Sequence, residues 1–223
     1  MKNPSFFQAL SLSIILSSCS SIPSESLKQQ EQKADAEIIV GSTVWMQKNL
    51  AVDTFLNGDS IPLAAAKSDW IAAALKRKPA YCLYKNDSAN GAKFGYLYNW
   101  YAVNDPRGLA PKGWKIASIE NWNDLVALNG GKSMAGPALR DTVERWFMDN
   151  GSTNISGFSA KPAGGRNDLG VFFSGDRYAH WWTATEHDSL NAKSIILNGV
   201  STTIMIDGAN KKGAGFSVRC VKN

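Results

Sequence analysis

The sequence has few of the residue types that build catalytic and metal centres. Of its 223 residues, three are cysteine and two are histidine. It contains no Gly-x-Ser-x-Gly elbow, no phosphate-binding loop and no dinucleotide-binding fingerprint. The sequence therefore favours a protein that is not an enzyme and holds no cofactor, with calcium left open.

Histidine and acidic residues come together only at His180, Glu186, His187 and Asp188. A zinc site needs three or four side chains that converge on one point. On a strand, His180 and Glu186 share a face but lie about 20 Å apart. We expect no metal site there.

Lysine and arginine are also not clustered densely enough to indicate a nucleic-acid-binding protein. The chain has 24 Lys and Arg against 19 Asp and Glu, for a net charge of +5. Only Lys76, Arg77 and Lys78 form a cluster, which a solvated surface explains as well as a nucleic-acid site does. We expect no nucleic-acid partner.

The N-terminus, "MKNPSFFQALSLSIILSSCSS", has the pattern of an export signal. Lys2 supplies the positive end, and the apolar stretch from Phe6 to Leu16 is too short to cross a bilayer as a helix. The stretch ends in a cysteine after small residues, which resembles the bacterial lipobox. This pattern predicts a signal peptide at 1–18 and a lipidated N-terminus at Cys19.

Lipidation at Cys19 would make the membrane the first partner of the protein. By resemblance to bacterial lipoproteins, the anchor carries three acyl chains, and several chains bind a membrane much more firmly than one. Ser20 after the cysteine favours the outer membrane or cell surface by the sorting rule of enteric bacteria. The polar segment 19–36 then forms a tether, and 37–223 form the domain.

Turn residues and periodicity predict a mixed α+β domain. Residues 37–62 alternate apolar and polar positions as an opening hairpin, with a second turn at Asn57 and Gly58. The alanine-rich segment 63–78 reads as a helix. A second helix begins after Ser118 and ends at Asn129, and the remainder is strand-like.

Cys82 and Cys220 remain once Cys19 carries lipid. An even pair outside the cytoplasm predicts a disulfide. Two free, buried thiols are the alternative.

The stretch "HWWTATE" (180–186) places two tryptophans side by side on a predicted strand. Adjacent side chains on a strand point to opposite faces. Trp182 shares a face with Ala184 and reads as core. Trp181 shares its face with two threonines, so that face is half polar, and Trp181 is either a ligand contact or a core residue.

Four blocks follow one another along the chain: "GYLYNWYAVNDPRGLAPKGW" (95–114), "SGFSAKPAGGR" (156–166), "WWTATE" (181–186) and "GFSVRCVKN" (215–223). With these blocks, about residues 37–223 resemble the Fibrobacter succinogenes major paralogous domain. Where the family often has glutamate, this chain has Asn121. That change implies the loss of a capping box with Ser118 and a weaker helix start.

More distantly, the same blocks resemble the C-type-lectin-like fold, with small twisted antiparallel sheets, two or so helices and long loops. This likeness implies that a strand of the first hairpin pairs with the final strand. It also implies that Trp182 is core and that Cys220 is disulfide-bonded. Trp122-Asn123-Asp124 spells the calcium tripeptide of sugar-binding lectins but falls in a predicted helix, so we take it as coincidence.

Because no catalytic motif is found, binding is the leading function, and aromatic rings on exposed loops can hold sugars or protein partners. We expect a non-catalytic, lipid-anchored module that binds polysaccharide or protein at the cell surface. The alternatives are a structural or interaction protein of the envelope without a soluble ligand, and an enzyme of the formylglycine-generating group. The candidate ligand residues lie in the glycine-rich second half: Trp146, Arg166, Arg177, Tyr178 and Trp181.

Overall fold

The computed structural model describes residues 37–144, 146–149 and 151–223. The predicted signal peptide (1–18), the lipidation site Cys19 and the tether (19–36) lie outside the described residues. Within the described part, short helices and mostly antiparallel strands form a mixed α+β fold, as predicted. No helix of that part is long and apolar enough to cross a membrane.

The smaller sheet, in the order β1-β2-β12-β5, joins the two ends of the domain. The opening hairpin consists of β1 (Glu37–Val40) and β2 (Thr43–Met46). The closing strand β12 (Cys220–Lys222) pairs with β2 on one side and with β5 (Trp114–Ile116) on the other. The predicted hairpin and its pairing with the final strand are confirmed.

The larger sheet has the order β10-β9-β8-β11-β4-β3. Its strands are β3 (Tyr81–Cys82), β4 (Leu97–Asn99), β8 (Tyr178–Glu186), β9 (Asn191–Asn198), β10 (Ile204–Lys211) and β11 (Gly215–Val218). The short strand β6 (Gly165–Arg166) pairs with β11 and with β7 (Phe172–Phe173). Strands β8 and β11 run parallel. Arg219 alone separates β11 of the larger sheet from β12 of the smaller sheet.

The helices are α1 (Lys67–Leu75), α2 (Ser88–Phe94), α3 (Trp100–Val103), α4 (Ile119–Leu128) and α5 (Ala135–Leu139), with a 3-10 turn at Tyr84–Asn86. Helix α1 is shorter than the predicted 63–78. Its predicted first turn is extended instead, because Leu63 bridges to Tyr81 and the Ala64 N–H donates to the Tyr81 carbonyl at 2.9 Å. At the other end, Arg77 leaves the helical region with φ 52.

Helix α4 begins after its cap at Ser118, as predicted, and buries one stripe of apolar residues. Ile119, Trp122, Leu125 and Val126 are buried. The predicted loss of the capping box is wrong, because the side-chain oxygen Oδ1 of Asn121 accepts from the Ser118 backbone N–H at 3.0 Å, while Ser118 Oγ accepts from the Asn121 backbone N–H. The tripeptide Trp122-Asn123-Asp124, which resembles the calcium-ligand sequence of lectins, lies inside this helix, as expected.

Two apolar clusters pack on opposite faces of β8. Trp181 belongs to a cluster with Trp45, Trp122 and Phe158. Trp182 belongs to a second cluster with Tyr98, Phe216 and Val218. Both indoles have no exposed surface. The core role of Trp182 is confirmed. Of the two alternatives for Trp181, the structure shows the core residue.

Candidate functional site

A cleft of about 630 Å³ opens above Arg219, where the two sheets meet. Its volume lies within the range of small-molecule pockets in proteins. It is lined by Met46, Gln47, Lys48, Asn49, Leu50, Ala51, Leu83, Ser88, Gly91, Ala92, Lys93, Phe94, Gly95, Tyr96, Pro111, Asp141, Ser159, Lys161 and Arg219.

Arg219 is held at the floor of the cleft by backbone carbonyl groups. Its Nη1 donates to the carbonyls of Met46 at 2.9 Å, Gln47 at 2.5 Å and Phe158 at 3.0 Å. The guanidinium carbon also lies 4.1 Å from the centre of the Phe158 ring. These contacts tie the opening hairpin and the segment around Phe158 to the junction of the two sheets.

The charge of Arg219 has no acidic partner within the described residues. The side chain is 1% exposed, and burial lowers the pKa of Arg219 to about 9. The guanidinium therefore stays protonated at neutral pH, at the free-energy cost of a buried ion. Buried charges are normally paired with an opposite charge. In Arg219 the carbonyl dipoles and the Phe158 ring stabilise the buried charge in place of an acidic side chain.

One side-chain nitrogen of Arg219 has no hydrogen-bond acceptor among the described residues. Nε donates to Asn49 Oδ1 at 3.1 Å and Nη1 is engaged as described. Nη2 makes no hydrogen bond within the part of the chain that the structure describes. By contrast, each side-chain nitrogen of the equally buried Arg166 donates to a carbonyl, namely those of Gly170, Ala64 and Ala65. Arg219 lines the cleft, and Nη2 is its one side-chain nitrogen without an acceptor among the described residues.

Asn49 connects the floor of the cleft to the core. Its Oδ1 accepts from Trp181 Nε1 at 2.9 Å as well as from Arg219 Nε, and its Nδ2 donates to the Phe94 carbonyl at 2.8 Å. Every polar atom of the Asn49 amide group is therefore used to fix its position. Trp181 takes part in the site in this way, as a support behind Asn49.

Gly95 lets a second segment approach Asn49 closely. Its φ of +76 is one that side chains rarely adopt, and a Cβ there would lie 2.8 Å from the Leu50 carbonyl oxygen. The adjoining Tyr96 N–H donates to that carbonyl at 3.0 Å. The Tyr96 ring stacks on Tyr81 with 5.0 Å between ring centroids, and burial raises the pKa of Tyr96.

The lining of the cleft carries more positive than negative charge. Lys48, Lys93, Lys161 and Arg219 face one acidic lining residue, Asp141. Asp141 Oδ1 already accepts from two backbone N–H groups, at 2.6 and 2.8 Å. Among the described residues, Lys93 pairs with Glu144 at 2.5 Å, whereas Lys48 and Lys161 are in no ion pair.

The candidate ligand residues predicted from the sequence do not meet in this cleft. Trp146, Arg166 and Trp181 are at most 1% exposed, so they do not form the predicted ligand-binding surface. Arg177 is exposed and lies over the Phe147 ring, and Tyr178 is half-buried against His180. A ligand role for Arg177 and Tyr178 stays a prediction.

The predicted disulfide between Cys82 and Cys220 is wrong, because both residues are free thiols. Cys82 lies on the edge strand β3 of the larger sheet, while Cys220 lies in the smaller sheet and in a different apolar cluster. Burial raises the pKa of Cys82 to about 11 and that of Cys220 to about 12. The alternative of two buried thiols is the one that the structure shows.

The residues with metal-ligand chemistry near β8 have separate surroundings. His180 is buried among Phe173, Tyr178 and Phe216. Glu186 pairs with the buried Lys212. Across the described residues, no three His, Cys, Asp or Glu side chains lie close enough together to hold a metal ion.

Sequence reasoning missed Asn49, Lys161 and Arg219 as site residues. Arg219 gives the clearest signal in the sequence, because it is the one charged residue in the stretch "GAGFSVRCV" (213–221). Lys161 and Arg219 also lie within the quoted blocks "SGFSAKPAGGR" and "GFSVRCVKN". Asn49 carries no local signal, since its role depends on partners far away along the chain.

Comparison with known proteins identifies the family. Residues 38–222 match the model of the Fibrobacter succinogenes major domain, and the chain belongs to that family. No curated protein and no solved structure matches it. The lectin-like character of the fold therefore stays a prediction.

Proposed function

We propose that this chain is a lipid-anchored protein of the cell envelope whose domain is a non-catalytic binding module for polysaccharide or protein. The sequence around Cys19 supports the anchor and an outer-membrane or cell-surface location. The tether then holds the domain away from the membrane.

The observation that carries the binding role is the cleft above Arg219. It is concave, of small-molecule size, and lined by amide, hydroxyl, aromatic and cationic groups held by core contacts. Sites with few, well-placed polar groups in a largely preformed cavity are typical of ligand binding. Asp141 is already bonded to the backbone, and among the described lining residues there is neither a histidine nor a cysteine. The lining therefore favours recognition over catalysis.

One observation favours the second candidate, an interaction protein of the envelope. Large apolar side chains are exposed along one segment, with Val143 at 89%, Met148 at 70% and Ile155 at 84%. Exposed apolar groups of this kind often mark contacts with another protein. This surface would act beside the cleft or in place of it.

Cleft blocking tests the binding role. The full chain, purified in nonionic detergent, is applied to an array of bacterial polysaccharide fragments. Ala92→Trp places a large ring in the cleft without changing charge, because Ala92 is exposed and lines it. Ala89→Trp is the matched control on α2, exposed but outside the lining.

We expect Ala92→Trp to weaken binding by about tenfold or more and Ala89→Trp to leave it unchanged. Equal binding by both variants would remove the cleft from the proposal. Absence of binding to every fragment, together with capture of an envelope protein through the exposed apolar segment, would favour the second candidate.

The lipid anchor has its own test. Mass spectrometry of the protein taken from membranes should show an acylated N-terminal Cys19, and Cys19→Ser should release the chain from the membrane fraction. A mature N-terminus elsewhere, or an unmodified Cys19, would contradict the anchor and leave the binding domain unaffected.

A further inference from the structure

We infer that the ligand of the Arg219 cleft is an acidic polysaccharide, which places a carboxylate or sulfate group against Arg219. The inference rests on the proposed binding function and specifies its ligand. It follows from the unpaired charge at the floor, the cationic rim and the shape of the cleft.

No acidic side chain of the described residues forms an ion pair with Arg219 at the floor of the cleft. Arg219 is a buried cation without an acidic partner among the described residues, and its Nη2 has no hydrogen-bond acceptor there. An anionic group in the cleft would supply both the missing counter-charge and the missing acceptor. Charge-assisted hydrogen bonds of this type are among the strongest polar contacts in proteins.

The rim of the cleft would favour the same ligand. Lys48 and Lys161 line the cleft and have no ion pair within the described residues. Asp141, the acidic lining residue, has Oδ1 committed to the backbone N–H groups of Val143 and Glu144. A negative ligand therefore meets net attraction at the rim, and salt should weaken that attraction.

The form of the site favours a sugar chain over a protein. Protein partners usually bury a broad patch of about 800 Å² on each side, whereas this site is a concave cavity. Tyr96 offers an aromatic ring, and Ser88, Asn49 and Ser159 offer hydroxyl and amide groups along the lining. This mixture suits a ring with one apolar face and several hydroxyl groups. A chain of acidic sugars could also place one acidic group against Arg219 and others against Lys48 and Lys161, which line the same cleft.

The experiment uses the charge of the probe as the variable. Tetramers of galacturonate, glucuronate, mannuronate and guluronate are titrated calorimetrically into the full chain, each beside its methyl ester of the same length. A sulfated tetramer distinguishes sulfate from carboxylate. A short poly-glutamate peptide tests an acidic protein segment.

We expect at least one acidic tetramer to bind about tenfold or more tightly than its ester, with affinity that falls as salt rises. Lys48→Ala and Lys161→Ala should each weaken binding of the acid several-fold and leave the ester unchanged. Lys115→Ala, at an exposed position outside the lining, is the matched control. Thermal melts verify that each variant is folded.

The outcomes separate the ligand class from the proposed function. Equal binding of acid and ester, both lost in Ala92→Trp, would overturn the acidic ligand and leave the binding function standing. Preference for poly-glutamate over every sugar would overturn the polysaccharide. Binding of an acid that Ala92→Trp does not affect would overturn the site, and failure of every acidic probe would overturn the inference.

Discussion

Trp181 has its ring centroid 5.3 Å from Trp122 and 6.0 Å from Phe158, whereas Trp182 packs on the other face at 4.5 Å from Phe216. The alternation of the two rings was predictable from the strand. The burial of Trp181 was not, because its neighbouring threonines look polar in sequence. In the structure Thr183 Oγ1 donates to the Lys193 carbonyl at 3.0 Å, so its polar atom is satisfied inside the protein.

The two tryptophans should therefore be equally important for stability. We expect Trp181→Ala and Trp182→Ala each to lower the free energy of unfolding by about 3–5 kcal/mol, as for other large buried rings. Denaturant melts of both variants provide the measurement. A loss below about 1 kcal/mol for Trp181→Ala alone would show that its side of β8 is open.

His180 introduces a dependence of stability on acid. Its two ring nitrogens are buried without a hydrogen-bond partner among the described residues, and burial lowers the pKa of His180 to about 4. The unfolded chain protonates this histidine near its ordinary pKa of about 6.5. Between these values the unfolded state binds more protons, so stability falls as the pH falls.

The loss from His180 should reach about 3 kcal/mol as the pH falls from about 6.5 to about 4. His180→Phe keeps an aromatic ring in the stack and should remove that part of the loss. His187→Gln, which changes the chain's other histidine at an exposed site, should keep it. Melts from pH 7 to pH 4 compare the three proteins. If His180→Phe lost as much stability in acid as the wild type, the buried neutral histidine would be refuted.

At the scale of an element, helix α4 shows how a cap can work with a different residue. Asparagine is shorter than the glutamate or glutamine usual at this position of a capping box, yet Asn121 Oδ1 reaches the Ser118 N–H at 3.0 Å. The buried stripe of α4 followed directly from its periodicity. The reciprocal bond from the Ser118 N–H to Asn121 did not, because it depends on side-chain geometry that residue type alone does not specify.

Removal of this cap should destabilise the domain modestly. We expect Ser118→Ala to cost about 1 kcal/mol and Asn121→Ala a similar or smaller amount. Asn123→Ala, exposed on the same helix, should stay within about 0.5 kcal/mol of the wild type. Urea melts with a common slope would measure these differences. If Asn123→Ala lowered the free energy of unfolding as much as Ser118→Ala, the result would argue against a capping effect.

At the scale of the whole molecule, the strands of two sheets meet at Arg219, and the chain needs no disulfide to join them. The α+β class, the opening hairpin and its pairing with the final strand could be predicted from local patterns and resemblance. The cleft could not. Its central hydrogen bond joins Asn49 to Arg219 across 170 positions in the sequence. The periodicity of a local segment cannot predict a contact between residues so far apart.

The two buried thiols give a test at this scale. Because burial raises both pKa values to about 11 and 12, Cys82 and Cys220 should resist a thiol reagent in the native protein and react fully once unfolded. A reducing agent should leave the melting temperature unchanged. Recovery of a linked Cys82–Cys220 peptide from protein taken from its native compartment would contradict this arrangement.

Binding of an anion at Arg219 is the central claim, and the side-chain NMR signal of that residue tests it most directly. Arg219 Nε is buried and hydrogen-bonded to Asn49, and Arg140 and Arg166 have comparable buried Nε groups bonded to Ser152 and Gly170. On addition of a uronate tetramer that binds, the Arg219 Nε–H signal should shift and those of Arg140 and Arg166 should stay in place. The methyl ester at the same concentration should cause a smaller shift. A tetramer that binds while the Arg219 signal remains unmoved would contradict the claim.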